Sequence, residues 1–387
     1  MPYTLPEALR GADRLALVLA FGRLSVLEAC CTIKSVTKVE VPSERICVVE
    51  LNPSSVRSVA KLAGIHKFSP LLTHFQGDEV VIHQLVEQIT NQIDVSRFAL
   101  SAYDTDEDDY EVLVRLLLDA FRQAGFKKIR LLRPKGNELF ADQLLSRDTL
   151  DLIAFPYKGG HGIGPTAWVP DVDAMRKRGV EKPAPHSEIS LSPRLAQLLL
   201  NLSGLSPGQR LLDPFCGPGT IISEGALMSL NCAGIDSNPT RVAQAKRNLA
   251  WVEKQSGRSL AYDIKTGDAR DFQGRFDGIV TEPILLPRFH STPGSQKAKR
   301  LVNRASRVYS ESLYPMADAV RKGGRVVIVV PTLRTTSGSE VLLRLEETES
   351  IGLKEFQPGH VRFEYPVRVA FESTRWLGRA VYVFERV

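Results

Sequence analysis

The chain has 387 residues, long enough for two or three domains of ordinary size, and its composition is that of a globular protein. Its net charge of +6 permits an anionic partner such as nucleic acid but does not establish one. No window approaches ~18 uninterrupted apolar residues, so we expect no membrane span, and Met1–Arg14 lacks the layout of a secretion signal. The five cysteines form no Cys-x-x-Cys pair, which favours a reduced, cytoplasmic setting and no metal site.

Residues 1–75 form the first block of predicted elements. Arg45–Leu51 has the composition of a strand, and Arg14–Ala29 and Ser54–Ala63 have the composition of helices. These elements predict a small α/β or α+β module.

Residues 76–168 form a second block with a clearer pattern. Phe98–Tyr103 alternates like a strand, and Tyr110–Ala124 is an amphipathic helix closed by Gly125. Further strands are predicted at 128–133 and 149–155, and cations are concentrated in the loop before and along the first of these. The alternation and the basic loop predict a compact nucleic-acid-binding domain.

Residues 169–189 are rich in proline and charge, which predicts a linker. The predicted domain over 190–387 begins with a helix, and from Gln209 onward strands and helices alternate regularly. The last of its predicted helices is 338–348. Repeated βα units predict an α/β, Rossmann-like, mainly parallel sheet. The last two predicted strands, near 360–370 and 379–385, have the pattern of a hairpin, so we expect an antiparallel edge strand.

Residues 211–220, Leu-Leu-Asp-Pro-Phe-Cys-Gly-Pro-Gly-Thr, predict a buried strand, a glycine turn and the start of a helix. Gly217 and Gly219 lack a Cβ, so a ligand can lie against the backbone, and N–H groups at the start of the helix would point at it. Asp213 adds a carboxylate that can hold an ammonium group, whereas a phosphate-binding loop would avoid an acid there. The turn therefore predicts a zwitterionic ligand, S-adenosylmethionine (SAM).

Acids also end the next two strands, at the edge of the sheet where doubly wound folds bind ligands. Asp236 would accept hydrogen bonds from ribose hydroxyls, and Asp268 could accept the adenine amino group. Each acid alone could equally be a helix cap. The order of the acids after the glycine turn favours SAM. A dinucleotide site is disfavoured because the turn lacks the third glycine of the dinucleotide-binding motif. The predicted cofactor contacts are Asp213, Phe215, Cys216, Gly217, Gly219, Thr220, Asp236, Ser237, Asp268 and Ala269.

These residues resemble the SAM-dependent tRNA methyltransferases that modify guanosine N2 in the D-arm region, namely the archaeal and eukaryotic guanosine-10 enzymes and their bacterial relatives. The resemblance covers residues ~160–387 and rests on five segments: Gly164–Val169, Asp171–Arg178, Leu191–Ala196, Asp213–Thr220 and Trp376–Val383. It implies a class I SAM-dependent methyltransferase domain over 190–387. It also implies a THUMP domain, an RNA-binding module, at 76–168.

The sequence departs from that family after the fourth strand. The family's amino methyltransferases carry Asp/Asn-Pro-Pro-Tyr/Phe, whose oxygens accept N–H bonds from the amine and whose ring stacks on the base. Here the motif is Thr281-Glu282-Pro283-Ile284, and we predict that Thr281, Glu282 and Pro283 serve catalysis. Glu282 could accept from an amine, deprotonate another acceptor atom, or be a loop acid without a role. Ile284 cannot stack on a base, and Phe289 is the nearest aromatic that could replace it.

The segment Arg288–Arg307 follows this motif and carries six Lys/Arg cations, which either bind phosphates or form a solvated helix face. Taken together, the sequence predicts an RNA methyltransferase that moves a methyl group from SAM to an exocyclic amine, with guanosine N2 in tRNA as the expected target and with the base flipped into the pocket. Two alternatives stay open. One is a DNA adenine or cytosine amino-methyltransferase, and the other is a non-catalytic RNA-binding protein with an altered acceptor motif.

Overall fold

The computed structural model describes residues 11–134, 136, 138–144, 149–184, 191–283, 291–369 and 376–387. The chain divides into two compact units, Met1–Val172 and Asp173–Val387. Within the described ranges, no helix has the length and apolar character needed to cross a membrane. All five cysteines are free thiols.

The first unit contains two sheets. Its elements are β1 (Arg14–Leu19), α1 (Arg23–Thr32), β2 (Val36–Glu40), β3 (Ile46–Leu51), α2 (Val56–Val59), β4 (Ile65–Pro70), β5 (Thr73–Phe75), α3 (Glu79–Thr90), β6 (Arg97–Ala102), α4 (Glu107–Gln123), β7 (Arg130–Leu131), α5 (Ala141–Leu144), β8 (Thr149–Tyr157) and β9 (Gly160–Pro165). The first sheet has the order β2-β3-β1-β4, and the second has the order β5-β9-β8-β6-β7.

The helix predicted over Arg14–Ala29 is wrong, because this stretch begins with strand β1 and turns into helix α1 only at Arg23. β1 is paired on both sides, with β3 and with β4, and residues 15–19 are all buried. A strand that is buried on both faces has a continuous apolar run, and periodicity cannot separate such a run from a buried helix. The helix predicted at Ser54–Ala63 is shorter in the structure, which has only α2 and a 3-10 turn before it.

The strand predicted at Phe98–Tyr103 and the helix predicted at Tyr110–Ala124 are confirmed as β6 and α4, with small shifts of their ends. Asp106 caps α4 by accepting a hydrogen bond from the Asp109 N–H (2.8 Å), as a helix N-cap should. The helix packs its apolar face, including Leu117 and Phe121, into the core beside the second sheet. Gly125, with φ of +96°, follows the helix end.

A buried ion pair links the two sheets of this unit. Lys67 on β4 donates to Asp151 on β8 (Nζ–Oδ2 2.7 Å), and both side chains are almost fully buried. Lys67 also donates to Ser101 Oγ (2.8 Å), while Ser101 and Thr166 donate to the two oxygens of Asp151. Since every polar group of this cluster has a partner, the pair holds its strands in one arrangement.

The second unit is built on one large sheet. Its elements are α6 (Val172–Val180), α7 (Pro193–Leu202), β10 (Arg210–Asp213), α8 (Thr220–Leu227), β11 (Asn231–Asp236), α9 (Pro239–Ser256), β12 (Tyr262–Thr266), β13 (Phe276–Thr281), α10 (Ser295–Ala319), β14 (Val320–Arg334), β15 (Glu340–Leu342), β16 (Leu353–Glu355), β17 (Val367–Arg368) and β18 (Leu377–Arg386). Its sheet has the order β12-β11-β10-β13-β14-β18-β16, with β15 and β17 paired to β14 and β18.

This sheet confirms the predicted α/β class with a mainly parallel core. Strands β10 to β14 pair in parallel, and β18 runs antiparallel to β14 near one edge. The region predicted as a linker, 169–189, contains helix α6. The helix predicted at 338–348 is wrong, because a tight turn closed by Thr335 N–H and Ser339 O (2.9 Å) returns the chain along β14 as strand β15.

The strand order determines which helices face which side of the sheet. From β10 the chain moves outward through β11 to β12, and from β13 it moves the opposite way to β14. Right-handed crossovers therefore place α8 and α9 on one face and α10 on the other. Because a crossover helix starts where its strand ends, the first turns of α8, α9 and α10 lie at the carboxyl edge of the sheet.

The buried pair predicts a large stability effect for Lys67→Met, because the variant leaves the Asp151 carboxylate buried without its cation. We expect the free energy of unfolding of the first unit, measured by urea denaturation of the full chain, to fall by about 3–5 kcal/mol. Lys38→Met serves as the control. It removes an exposed cation paired with Glu40 (3.1 Å) and should cost less than about 1 kcal/mol. Equal small losses in both variants would contradict this interpretation.

Candidate functional site

The glycine turn after β10 is fixed by hydrogen bonds that its backbone N–H groups donate. Cys216 N–H donates to Ile235 O (2.8 Å), and Gly219 N–H donates to Cys216 O (2.8 Å). Gly217 N–H donates to the Asp236 carboxylate (2.9 Å), and Phe215 N–H donates to the Asp213 carboxylate (3.1 Å). These N–H groups of the turn therefore already donate within the protein. The N–H groups at the start of α8 are still predicted to donate to a ligand.

The two glycines are required for backbone reasons. Gly217 and Gly219 have φ of +51° and +83°, the left-handed region that side chains other than glycine rarely adopt. A Cβ on Gly219 would lie 3.0 Å from the Ala245 Cβ of α9. Gly219 is therefore required for two reasons: its φ is left-handed, and the missing side chain allows the turn to pack closely on α9.

Asp213, at the end of β10, is the most deeply buried acid of the site. Its Oδ1 accepts from Phe215 N–H and from the hydroxyl of Thr281 (2.7 Å), at the end of the neighbouring strand β13. Burial raises the pKa of Asp213 to about 7, and the nearby carboxylates Asp236 and Glu282 add to the rise. Because the folded state then holds this proton more tightly, the buried carboxyl lowers stability as the pH rises from about 4 to 7.

Asp236 and Asp268 are fixed in different ways. Asp236 accepts from Gly217 N–H and from Asn238 N–H (both 2.9 Å), so it ties the glycine turn to the start of α9. Asp268 forms a two-pronged ion pair with Arg270 (2.6 and 2.8 Å), and this hydrogen bonding lowers the pKa of Asp268 to about 2. Asp268 is therefore ionised throughout the physiological range.

A cleft brings five of the predicted cofactor residues together. It is lined by Pro214, Phe215, Asp236, Ser237, Asp268, Ala269, Arg270, Val308, Glu311 and Ser312. The first seven of these lie at the end of β11 or in the loops after β10, β11 and β12, and the last three come from α10. The cleft thus lies at the carboxyl edge of the sheet, where the sequence places it.

The other five predicted residues lie outside the lining of this cleft: the two glycines of the turn, Gly217 and Gly219, and also Cys216, Thr220 and Asp213. Cys216 is buried behind the turn, where a Cβ on Gly234 would meet its side chain at 3.1 Å, and burial raises the pKa of its thiol. The hydroxyl of Thr220 accepts a hydrogen bond from Lys182 Nζ (3.1 Å). Asp213 is buried and directly precedes two lining residues, Pro214 and Phe215, and its carboxylate accepts a hydrogen bond from the Thr281 hydroxyl.

The acceptor motif is tied to the last strand. Glu282 forms an ion pair with Arg379 of β18 (Oε1–Nε 2.6 Å), and both side chains are largely buried. Glu282 is therefore held in one orientation beside Asp213, whose partner Thr281 precedes it. The structure describes Pro283, whereas Ile284 and Phe289 lie outside the described residues.

The end of α6 and the segment after it support the glycine turn from the side of α8 and α9. Arg178 forms two hydrogen bonds (2.7 and 2.9 Å) to the buried Glu224 of α8. Lys182 is buried beside Thr220, and its burial lowers the pKa of the Lys182 ammonium. Asn248 of α9 donates to Pro218 O (2.9 Å) inside the turn. The structure thereby assigns a supporting role to a region that the sequence indicates only as a linker.

The sequence reasoning missed the α10 wall of the cleft, Val308, Glu311 and Ser312, and also Arg270 and Arg379. Their spacing on α10 (i, i+3, i+4) is a signal that could have indicated a shared helix face. No signal in the sequence connects Glu282 with Arg379, because the two are 97 residues apart.

Comparisons with known proteins indicate a methyltransferase family. A family model described as UPF0020, RMKL-like, methyltransferase domain, matches residues 178–351. The tRNA (guanine(10)-N2)-dimethyltransferase of Methanothermobacter thermautotrophicus is 31% identical over 144 residues, which are 37% of this chain and 39% of that protein. A chain from Methanothermococcus thermolithotrophicus named "Probable tRNA (guanine(10)-N2)-dimethyltransferase" is 31% identical over 134 residues, 33% of this chain and 81% of that one.

The crystal structure of TrmN from Thermus thermophilus has a TM-score of 0.54 and covers 97% of this chain and 99% of that one at 18% identity, which shows a shared fold. The first two curated relatives are matched over only about two fifths of their length. The part matched by the family model, residues 178–351, includes the glycine turn and the acids at the strand ends. The chain belongs to the family of SAM-dependent methyltransferases that includes the tRNA (guanine(10)-N2)-dimethyltransferases.

Proposed function

We propose that this chain transfers a methyl group from SAM to an exocyclic amine of tRNA, with guanosine N2 as the target atom. One observation carries the proposal. The hydroxyl of Thr281 bonds the buried carboxylate of Asp213 at 2.7 Å, so the predicted cofactor acid and the predicted acceptor motif share one site. The names of the curated relatives support tRNA and guanine N2 as substrate and target.

The described residues fit SAM by their chemistry. Asp213 is a buried acid that suits the ammonium group of the methionine moiety. Asp236 lies at the end of the second strand, where an acid can accept from ribose hydroxyls, and it lines the cleft with Ser237. Asp268, Ala269 and the α10 wall would enclose the adenine. SAM, when bound, supplies a methyl group on a positively charged sulfur.

The chain's own contribution to transfer is positioning. Glu282, fixed by Arg379, would accept an N–H bond from the incoming amine. Pro283 stiffens the turn that holds it. The amine nitrogen would bond the methyl carbon as the carbon–sulfur bond breaks, and the methylated nitrogen would then release a proton to solvent. Since the amine needs no strong base, most of the rate would come from its alignment with the methyl group. The base would have to leave its stack to reach the site.

The first unit would hold the RNA, with residues 76–168 as a THUMP-like module. The second sheet, β5 to β9, spans most of these residues. Its exposed Lys127, Lys128 and Arg130 lie in and beside one loop, and they suit a phosphate backbone. If tRNA is the substrate, this proposal also implies that the protein acts in the cytoplasm.

The direct test is incubation of the full-length protein with labelled SAM and total tRNA, followed by mass spectrometry of the nucleosides. N2-methylguanosine or N2,N2-dimethylguanosine supports the proposal. Label in deoxyadenosine or deoxycytidine of a parallel DNA sample, with none in tRNA, would assign the chain to DNA instead. SAM binding without transfer to either nucleic acid would contradict the proposed reaction.

The raised pKa of Asp213 predicts pH-dependent cofactor binding. The ammonium group needs the ionised carboxylate, so the Kd for S-adenosylhomocysteine should fall about tenfold between pH 6 and pH 8, with proton release near pH 7. Calorimetry in two buffers of different ionisation enthalpy measures both quantities. Asp213→Asn should bind weakly at every pH and release no proton. A flat profile for the wild type would contradict the assignment of Asp213.

Glu282→Gln tests the role of the acceptor motif in transfer without altering a predicted cofactor contact. The amide keeps the length of the side chain and one oxygen for Arg379, but its NH₂ group then faces the amine. We expect kcat to fall about 100-fold, and the Kd for S-adenosylhomocysteine to stay within twofold. Glu340→Gln, which alters an acid paired with Arg368 (2.8 Å) outside the lining of the cleft, is the matched control for loss of charge. Wild-type kcat in Glu282→Gln would mean that Glu282 has no role in transfer.

A further inference from the structure

Helix α10 has an unusual distribution of charge. Its residues 295–310 include five cations, Lys297, Lys299, Arg300, Arg304 and Arg307, and no acid. Cations stabilise the end of a helix and acids stabilise its start. Here the last turn has no basic residue and the first turn has no acidic one. The arrangement is therefore unfavourable for the helix itself, which indicates another use for the charge.

Three of these cations are exposed. Arg307 donates to Glu311 (2.7 Å), which also bonds Arg270. Lys299, Arg300 and Arg304, by contrast, are exposed and form no ion pair with any residue in the described part of the chain. We call these three residues the basic ridge.

The basic ridge stands next to the cofactor cleft. Arg304 lies one turn before Val308, which lines that cleft. On the other flank of the helix, Asn303 and Ser306 line a second, polar groove. Because α10 begins at the carboxyl edge of the sheet, its first turns lie on the side where a substrate must enter.

The chemistry of the basic ridge selects a phosphate backbone. On α10, Tyr314 is the one exposed large apolar residue among those described, and it lies ten residues after Arg304. A protein partner would need buried apolar anchors, and a membrane surface would need an apolar face. Exposed Lys and Arg without such anchors are typical of phosphate contacts, which position a nucleic acid without reading its sequence.

We propose that Lys299, Arg300 and Arg304 bind backbone phosphates of the RNA whose nucleotide enters the adjacent cleft. This inference rests on the proposed function and names the surface of the second unit that holds its substrate. The basic ridge would fix the register of the RNA at the site of transfer. The phosphate contacts proposed for the first unit would add affinity.

The test is the triple variant Lys299→Gln/Arg300→Gln/Arg304→Gln. Binding of a full-length tRNA transcript is measured by fluorescence anisotropy from 50 to 300 mM KCl. Each lost phosphate contact lowers the slope of log K against log salt by about 0.7–0.9. We therefore expect the slope to fall by about 2 and the Kd near 0.1 M salt to rise by about 10- to 100-fold.

A matched control lies on the opposite face of the sheet. Lys246, Arg247 and Lys254 of α9 are also exposed helical cations, so Lys246→Gln/Arg247→Gln/Lys254→Gln removes the same charge. The control should keep the wild-type slope within about 0.5. Both triple variants should bind S-adenosylhomocysteine like the wild type, which shows that they are folded.

The outcomes separate this inference from the proposed function. A reduced slope in the α10 variant alone supports the basic ridge, even if tRNA acquires no methyl group. Equal slopes in both variants, or a wild-type slope in the α10 variant, overturn it, even if tRNA is methylated. Wild-type protein that does not bind tRNA would overturn it as well.

Discussion

The hydrogen bond between Asp213 and Thr281 is the interaction on which the arrangement of the site depends. It joins the ends of two neighbouring parallel strands, β10 and β13, at 2.7 Å and in a buried environment. The first strand leads into the glycine turn, and the second leads into the acceptor motif. Because an unpaired buried carboxylate is costly, this bond constrains the cofactor loop and the acceptor loop together.

The surroundings of this bond reinforce the same geometry. Asp236 ties the glycine turn to α9, and Arg379 fixes Glu282 from the antiparallel strand β18. The Arg178–Glu224 pair and Lys182 support the turn from behind. Each of these polar groups is paired within its own unit, so the cleft is formed before any ligand binds. Such preorganisation is what an alignment mechanism requires.

Much of this could be predicted from the sequence, because local signals determine it. The strand, the glycine turn and the helix at 210–227 lie where the residues indicate, and so does the mainly parallel order of the sheet. Where both faces of an element are buried, as in β1, the periodic signal vanishes and the prediction of a helix is wrong. Partners distant in sequence, such as Glu282 and Arg379, were likewise beyond prediction, since only the sheet order brings β13 and β18 near each other.

The most direct measurement is a crystal structure of the full chain with S-adenosylhomocysteine. We expect the ammonium group within hydrogen-bonding distance of Asp213, the ribose beside Asp236, and the adenine between Ala269 and the α10 wall. A ligand bound elsewhere, or a cleft filled by the protein's own side chains while the ligand binds in solution, would contradict the assignment of the cofactor site.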